Sequence, residues 1–287
     1  MNTELSALIK LLEDPDPEVY YNLKPAILSF GIAAVDDLEN ACQTAGSKDH
    51  WFRIDQIISE LFFRDIKERL GEWINSEAAD LLSGINIVTE LINPDIHSPN
   101  HVSPITAFRN EIWLELNSRL TALEKARVIN YFFYEKFNFH IEIRNPDHPM
   151  RFSLAGLATD KLGNEVSLFA AYAVISRSLG LPIYGVNIPG ISLLAYLDLP
   201  FTPKPGFDPS NTPILFFIHP GDKGRIFGID EVRFFLSKFY PDIVSQPVLA
   251  CSDSLLVKHF TRALAKSCKK VGKTDIAKKA EDLLKLW

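Results

Sequence analysis

The pattern of apolar and polar positions is most regular between residues 163 and 199, where it predicts one buried helix followed by two strands. Two sets of apolar residues recur at helical spacing there: Val166, Phe169, Ala170, Ala173 and Val174 on one side, and Leu168, Tyr172, Ile175 and Leu179 on another. Because a helix that is apolar on two sides cannot face water, we expect it inside the protein. Gly180 and Pro182 end the helix. The segments 181–188 and 192–199 are the predicted strands.

Apolar residues at helical spacing also fill residues 3 to 92, which we predict to be a stack of helices. Thr3 is a predicted cap of the first helix, and residues 54–66 carry a long apolar stripe. The run Leu-Leu-Glu-Asp-Pro-Asp at residues 11–16 resembles a HEAT-type repeat. Two interpretations stay open, a concave interaction surface and a helical cap on the rest of the protein.

Residues 93–104 contain three prolines and several turn formers, which predicts a linker between two domains. His97 and His101 are four residues apart, the spacing of zinc ligands on a helix. The prolines argue against a helix here, so we predict no metal site.

Further along the chain, the pattern alternates between helices and loops. Thr121 and Glu124 have the spacing of a capping box that begins a helix. Residues 140–162 are predicted to be a long loop, residues 201–213 an exposed proline-rich excursion, and Asp230 the cap of a later helix.

The order of these segments resembles the transglutaminase-like superfamily, in its bacterial SirB-type branch. The motifs are a core helix ending in Arg177-Ser-Leu-Gly-Leu-Pro182 and a strand carrying Gly185-Val-Asn-Ile-Pro-Gly190. The resemblance extends to a helical lead-in at 110–139 and to a strand and turn at 214–224, covering about residues 105 to 240. It implies a papain-like core in which a helix packs on an antiparallel sheet.

The resemblance also implies where a catalytic site would lie. Active members carry a cysteine at the N-terminus of the core helix, a histidine on the next strand and an aspartate one strand later, because a helix N-terminus and an imidazole activate a thiol. The matching positions here are Glu165, Ile191 and His219. The three cysteines, Cys42, Cys251 and Cys268, lie outside the resembling core, so no small shift of the alignment restores a thiol.

Several roles for these residues stay open. Ser167 lacks the strained turn of a serine nucleophile. Glu165 is favoured as an acidic residue of the first helical turn, stabilised by the helix dipole. It could also act with His219 as acid and base in a rebuilt site, which a cleft plugged by Ile191, Phe169 and Phe217 would exclude. Binding without reaction would use a cleft rim, for which the candidates are Asn164, Ser167, Asn187 and Ser192.

The amino-acid composition is typical of a globular protein. With 287 residues, 47% of them hydrophobic and 23% charged, the chain can form a sizeable core. We find no signal-peptide pattern, no uninterrupted apolar stretch of membrane length and no disulfide framework, and therefore expect a cytoplasmic protein without a membrane partner.

Residues 253–287 carry a charge of about +5 on a chain whose net charge is −6. A predicted helix, a turn at Gly272 and a second helix resemble the tetratricopeptide-like tail of the SirB-type branch. The basic residues are interspersed with apolar ones, which favours a solvated face over a nucleic-acid contact.

Together these patterns predict an α+β protein in four parts: a helical, HEAT-like region at 1–92, a linker at 93–104, a transglutaminase-like core at 105–252 and a helical hairpin at 253–287. With the three triad positions altered, we predict a non-catalytic protein-binding or scaffold module with a protein partner and neither metal nor cofactor. The alternative is a hydrolase or acyltransferase that uses Glu165 and His219.

Overall fold

The computed structural model describes residues 3–77, 79–93, 104–188, 190, 192–199, 207–242 and 245–287. The chain divides into two compact units, Met1–Gly71 and Glu72–Trp287. No helix among the described residues is both long and apolar enough to cross a membrane.

The first unit is built from helices. They are α1 (Thr3–Leu11), α2 (Pro17–Leu28), α3 (Val35–Gln43) and the long α4 (Lys48–Asn75), which runs past the end of the unit. Asp16 begins α2 because its carboxylate accepts a hydrogen bond from the Glu18 N–H at 2.9 Å. The core is a cluster of buried aliphatic side chains: Leu5, Ile9, Leu12, Ile27, Leu38, Ile54, Ile57 and Leu61.

The second unit opens with helices that precede its sheet. They are α5 (Leu81–Thr89), α6 (Phe108–Trp113) and α7 (Ala122–Asn130). The predicted capping box at the start of α7 is confirmed, since Thr121 and Glu124 exchange hydrogen bonds there. Directly after α7, residues Tyr131–Lys136 form a π-helical turn.

The prediction of a long loop at residues 140–162 is wrong. The segment contains β1 (His140–Ile141), a 3-10 turn at Pro149–Phe152, α8 (Leu154–Asp160) and β2 (Leu162–Gly163). Ser153 begins α8 by accepting a hydrogen bond from the Gly156 N–H at 3.1 Å, and Leu157 on that helix is fully buried. A helix this short shows too little apolar periodicity to be recognised beside the preceding turn-forming residues.

An antiparallel sheet forms the centre of the second unit. Its strands are β3 (Ile183–Val186), β4 (Leu194–Leu197), β5 (Ile214–His219), β6 (Arg225–Phe227) and β7 (Ala250–Cys251), in the spatial order β6-β5-β4-β3-β7. Ala195 lies opposite Tyr184 on one side and Phe217 on the other, and Phe217 lies opposite Phe227. These four side chains therefore share one face of the sheet.

Helices cover both faces of this sheet. The core helix α9 (Glu165–Ser178) is buried at every position from Ser167 to Ser176, which confirms the burial that its two apolar sides predicted. Helix α10 (Ile229–Phe239) packs Val232 and Leu236 on the face that carries Tyr184 and Phe217. The prediction that Asp230 caps α10 is wrong, because Gly228 is the N-cap and Asp230 lies in the first turn.

The chain continues into two helices, α11 (Asp253–Lys270) and α12 (Thr274–Leu283). They form the predicted hairpin, with Gly272 at φ +75° in the turn. Helix α11 packs into the second unit: Phe260 meets the Phe152 ring at 5.6 Å, and Asp253 pairs with Arg177 of α9. Several of the basic residues pair with carboxylates of the same unit: Lys269 with Glu281, Lys270 with Asp147, Lys279 with Asp275, and Lys285 with Asp282.

Candidate functional site at the N-terminus of the core helix

Helix α9 begins at a capping box made by Asn164 and Ser167. The Asn164 side-chain oxygen accepts a hydrogen bond from the Ser167 N–H at 2.8 Å, and the Ser167 hydroxyl accepts one from the Asn164 N–H at 3.0 Å. Both residues are buried. These two candidates for a cleft rim are thus occupied in holding the helix terminus, which also accounts for Ser167 without a nucleophilic role.

Glu165, the first residue of α9, lies beside His219, the last residue of β5. The Glu165 Oε1 atom is 3.9 Å from His219 Nε2, and the two side chains are 48% and 28% exposed. This distance exceeds that of a hydrogen bond, so the two groups form an ion pair only when the imidazole is protonated. Two of the three positions that the family resemblance singles out are therefore neighbours, and the third, Ile191, lies outside the described residues.

The turn after β5 closes tightly over this pair. A Cβ atom at Gly221 would lie 3.0 Å from Glu165 Cγ and 3.0 Å from His219 Cε1, so a larger residue would push on both side chains. The other ring nitrogen of His219, Nδ1, is buried and has no hydrogen-bond partner among the described residues. Close packing fixes the ring beside the carboxylate.

Two polar side chains hold this turn by hydrogen bonds, and a third side chain holds one of those two. The Tyr134 hydroxyl, on the π-helical turn, donates to the Pro220 carbonyl at 2.7 Å. The Asn130 amide donates to the Gly224 carbonyl at 2.7 Å and accepts a hydrogen bond from the Tyr172 hydroxyl at 2.8 Å. Burial raises the pKa of both phenols, which keeps them protonated as donors.

Gly224 allows the Asn130 side chain to approach the backbone of the turn. Its φ is +67°, a conformation that favours glycine, and the Asn130 side chain occupies the space that a Cβ would need. The sequence patterns did not identify Asn130, Tyr134 or Tyr172 as part of the site. An apolar period of 3.6 residues does not reveal a π-helical turn, and each hydrogen bond joins positions far apart in the chain.

A cleft of about 650 Å³ lies between α10 and the hairpin of β5 and β6, and His219 is among the residues that line it. Its walls include the apolar residues Ile188, Leu193, Phe227, Phe235 and Phe239, and its rim the charged residues Asp222, Arg225, Asp230, Glu231 and Lys238. This volume is within the range of ligand pockets. Phe169 and Phe217 are buried in the core and do not line this cleft, and Glu165 does not line it either.

None of the three cysteine thiols belongs to the Glu165–His219 pair. Cys251 is buried on β7, where burial, reinforced by Asp253, raises its pKa to about 12. Burial also raises the pKa of Cys268 on α11 and of Cys42, which belongs to the first compact unit. All three are free thiols in environments that disfavour the thiolate, unlike a reactive cysteine.

The remaining candidates are placed as follows. Asn187 is exposed after β3 and Ser192 is half-buried before β4, on either side of Gly190. Within the described ranges, no group of three or more His, Cys, Asp or Glu side chains is arranged to hold a metal ion. His97 and His101 lie outside those ranges.

Comparison with known proteins agrees with this geometry. A family model described as the Transglutaminase-like superfamily matches residues 100–253, which is more than half of the chain. The chain therefore belongs to the transglutaminase-like superfamily. The matched residues include α9, the strands β3 to β6 and the turn after His219. The comparison with curated proteins gave no significant match, and neither did the comparison with solved structures.

Proposed function

We propose that this protein is a non-catalytic member of the superfamily, of the SirB-type branch, and that it acts as a protein-binding or scaffold module. The observation that carries the proposal is the carboxylate of Glu165 at the start of the core helix, 3.9 Å from the imidazole of His219. The resemblance places a nucleophilic thiol at that position, whereas the three natural cysteines stand at other positions and burial raises the pKa of each.

The chemistry of this pair supports binding over catalysis. A helix N-terminus stabilises the negative charge of Glu165, which makes the carboxylate a poorer nucleophile. The same helix terminus would activate a thiol, because it lowers the pKa of a group that reacts as its anion. The helix terminus therefore stabilises the negative charge of the Glu165 carboxylate without making it a better nucleophile.

A frame of hydrogen bonds supports the turn beside the pair. Asn130 and Tyr134 each donate a hydrogen bond to the turn after His219, and Tyr172 holds the Asn130 side chain by a third. A rigid turn beside a half-exposed carboxylate presents a defined surface, which suits recognition of a protein partner. In this proposal Asn187 and Ser192 form part of the contact, the HEAT-like and tetratricopeptide-like flanks add further surface, and the three free thiols fit a cytoplasmic location.

The partner surface is tested by capture with the full-length tagged protein. We expect a stoichiometric partner to bind the wild type and a Glu115→Arg control, at an exposed residue that is not one of the proposed contact residues. Binding should fall at least about tenfold with Glu165→Arg or Asn187→Arg, as for charges placed within an interface. Equal capture by all four proteins would contradict a partner surface at this site.

A second candidate function is a hydrolase or acyltransferase in which Glu165 and His219 serve as base and acid. It is favoured by their proximity, and His219, though not Glu165, also lines the cleft of about 650 Å³. This alternative requires turnover that both Glu165→Ala and His219→Ala reduce by about 100-fold or more.

A further inference from the structure

Helix α10 carries a row of side chains that do not pack into the core between this helix and the sheet. Phe234 is 69% exposed and Phe235 is 44% exposed, whereas Val232 and Leu236 face the sheet. Glu231 lies three residues before Phe234, and Lys238 lies three residues after Phe235. Residues at this spacing share one side of a helix, and we name Glu231, Phe234, Phe235 and Lys238 the α10 stripe.

The stripe is complementary to a second copy of itself. Its midpoint falls between Phe234 and Phe235, with a carboxylate towards one end and an ammonium towards the other. A two-fold axis through that midpoint brings two antiparallel α10 helices together, with the phenylalanine rings at the centre and each Glu231 facing a Lys238 of the other copy. An antiparallel pair also aligns the helix dipoles favourably.

Both charged groups are available for such a contact. Within the described part of the chain Lys238 has no carboxylate partner, and its ammonium lies 5.4 Å from the centre of the neighbouring Phe239 ring. Glu231 uses only Oε2 to accept the Gly228 N–H, at 2.8 Å. Its other carboxylate oxygen remains for an intermolecular ion pair.

The aromatic surface continues beyond the stripe. Phe239 is 58% exposed and its ring lies 5.0 Å from that of Phe235, and both rings line the cleft beside the helix. Adjoining exposed aromatic side chains on a folded protein mark contact surfaces more often than isolated ones do. A second copy packed on the stripe would cover the adjoining aromatic side chains and remove their apolar surface from water.

We propose that the protein forms a symmetric homodimer through antiparallel packing of the α10 stripe. The inference goes beyond the proposed function and does not depend on it, because it concerns the purified chain alone. The 11 residues of α10 extend about 16 Å, so the contact buries less than the roughly 800 Å² per partner of a standard interface. We therefore expect a dissociation constant in the micromolar range.

Sedimentation equilibrium of the full chain tests the dimer first. The apparent mass should rise from 32.4 kDa towards twice that value as the chain concentration increases from about 1 to about 300 μM. Phe234→Ala should weaken association at least about tenfold, because it removes two central rings from a symmetric contact. Arg233→Ala, an exposed change on another side of α10, should leave association unchanged.

A charge exchange then tests the antiparallel register. Glu231→Lys alone places Lys against Lys, and Lys238→Glu alone places Glu against Glu, so each variant should associate more weakly than the wild type. An equimolar mixture of the two should recover a heterodimer, since both contacts are again of opposite charge. Lys238→Glu leaves the Glu231 cap of α10 intact, and thermal unfolding verifies that each variant is folded.

Three results would overturn the proposal. The first is a monomer mass across the whole concentration range. The second is association that Phe234→Ala leaves unchanged, which would show that self-association uses another surface. The third is a mixture of the charge variants that associates no better than either variant alone. A monomeric chain that still captures a partner through the Glu165 surface would remove the dimer and leave the proposed function in place.

Discussion

The substitution Glu165→Cys places a thiol, whose pKa can be measured, at the position where the family resemblance implies the nucleophilic cysteine. The Sγ atom of the new cysteine would take the place of Glu165 Cγ, in the first turn of α9 and beside His219. The N-terminus of a helix and a neighbouring protonated imidazole both stabilise a thiolate. We therefore expect the pKa of this thiol to lie well below that of an ordinary cysteine.

The size of the effect follows from this environment. A free thiol with a pKa near 8.5 is about 3% thiolate at pH 7, and a pKa near 7.5 raises that fraction to about 24%. Intrinsic nucleophilicity falls about threefold for the same shift, so the net gain in alkylation rate at pH 7 is about threefold. The midpoint of the pH–rate profile is a clearer signal, because it shifts by about one pH unit.

The assay is alkylation by iodoacetamide as a function of pH, in a Cys42→Ser background that removes the natural thiol that is not fully buried. We expect a midpoint near pH 7.5 for Glu165→Cys and near pH 8.5 for a Glu115→Cys control, which lies outside the helices. Adding His219→Ala should move the first midpoint upwards. A midpoint at or above that of the control would refute the assignment of position 165 to an activating helix terminus.

Three further predictions concern the frame around the site and the packing of α11, each measured by urea unfolding. Gly221→Ala should destabilise the protein by about 1 kcal/mol through its contact with the Glu165–His219 pair, whereas Gly46→Ala, which has free space around it, should not; equal effects would contradict the tight turn. Tyr134→Phe should cost about 1 to 3 kcal/mol, because it leaves a half-buried carbonyl without its donor, and a neutral effect would show that water replaces the phenol. Hydrogen bonding from Lys270 lowers the folded-state pKa of Asp147 below its usual 3.8. A carboxyl whose folded-state pKa is lowered stabilises the fold above its unfolded pKa, and this stabilisation is lost as the pH falls through the folded pKa. Lys270→Ala should therefore cost under about 1 kcal/mol at pH 7, and that cost should decline as the pH falls below 3.8. A cost that stays constant with pH would contradict this ion pair.

The features that the sequence predicted correctly are local ones. Burial of α9 followed from apolar residues on two sides of one helix, and the start of α7 followed from the spacing of Thr121 and Glu124. The hairpin of α11 and α12 followed from apolar stripes on either side of Gly272. Each of these signals depends on residues that are near one another in the chain.

The features that the sequence did not reveal depend on distant contacts. Arg177 and Asp253 are 76 positions apart, and their ion pair helps to pack α11 into the second compact unit. Tyr134 and Pro220 are 86 positions apart, and their hydrogen bond supports the turn after His219. No local pattern encodes such pairs, whereas the family resemblance did lead to the positions of Glu165 and His219, which the structure brings together.

Turnover by the purified full-length protein tests the central claim most directly. Amide and ester hydrolysis and the exchange of a glutamine amide for an amine are measured beside Glu165→Ala, His219→Ala and the Glu115→Ala control. We predict that the wild type is no faster than Glu165→Ala on every substrate, because the site lacks the thiol nucleophile that the resemblance places at this position and Glu165 does not replace it. Turnover that both Glu165→Ala and His219→Ala abolish, and that Glu115→Ala retains, would contradict the account and establish an enzyme with a rebuilt site.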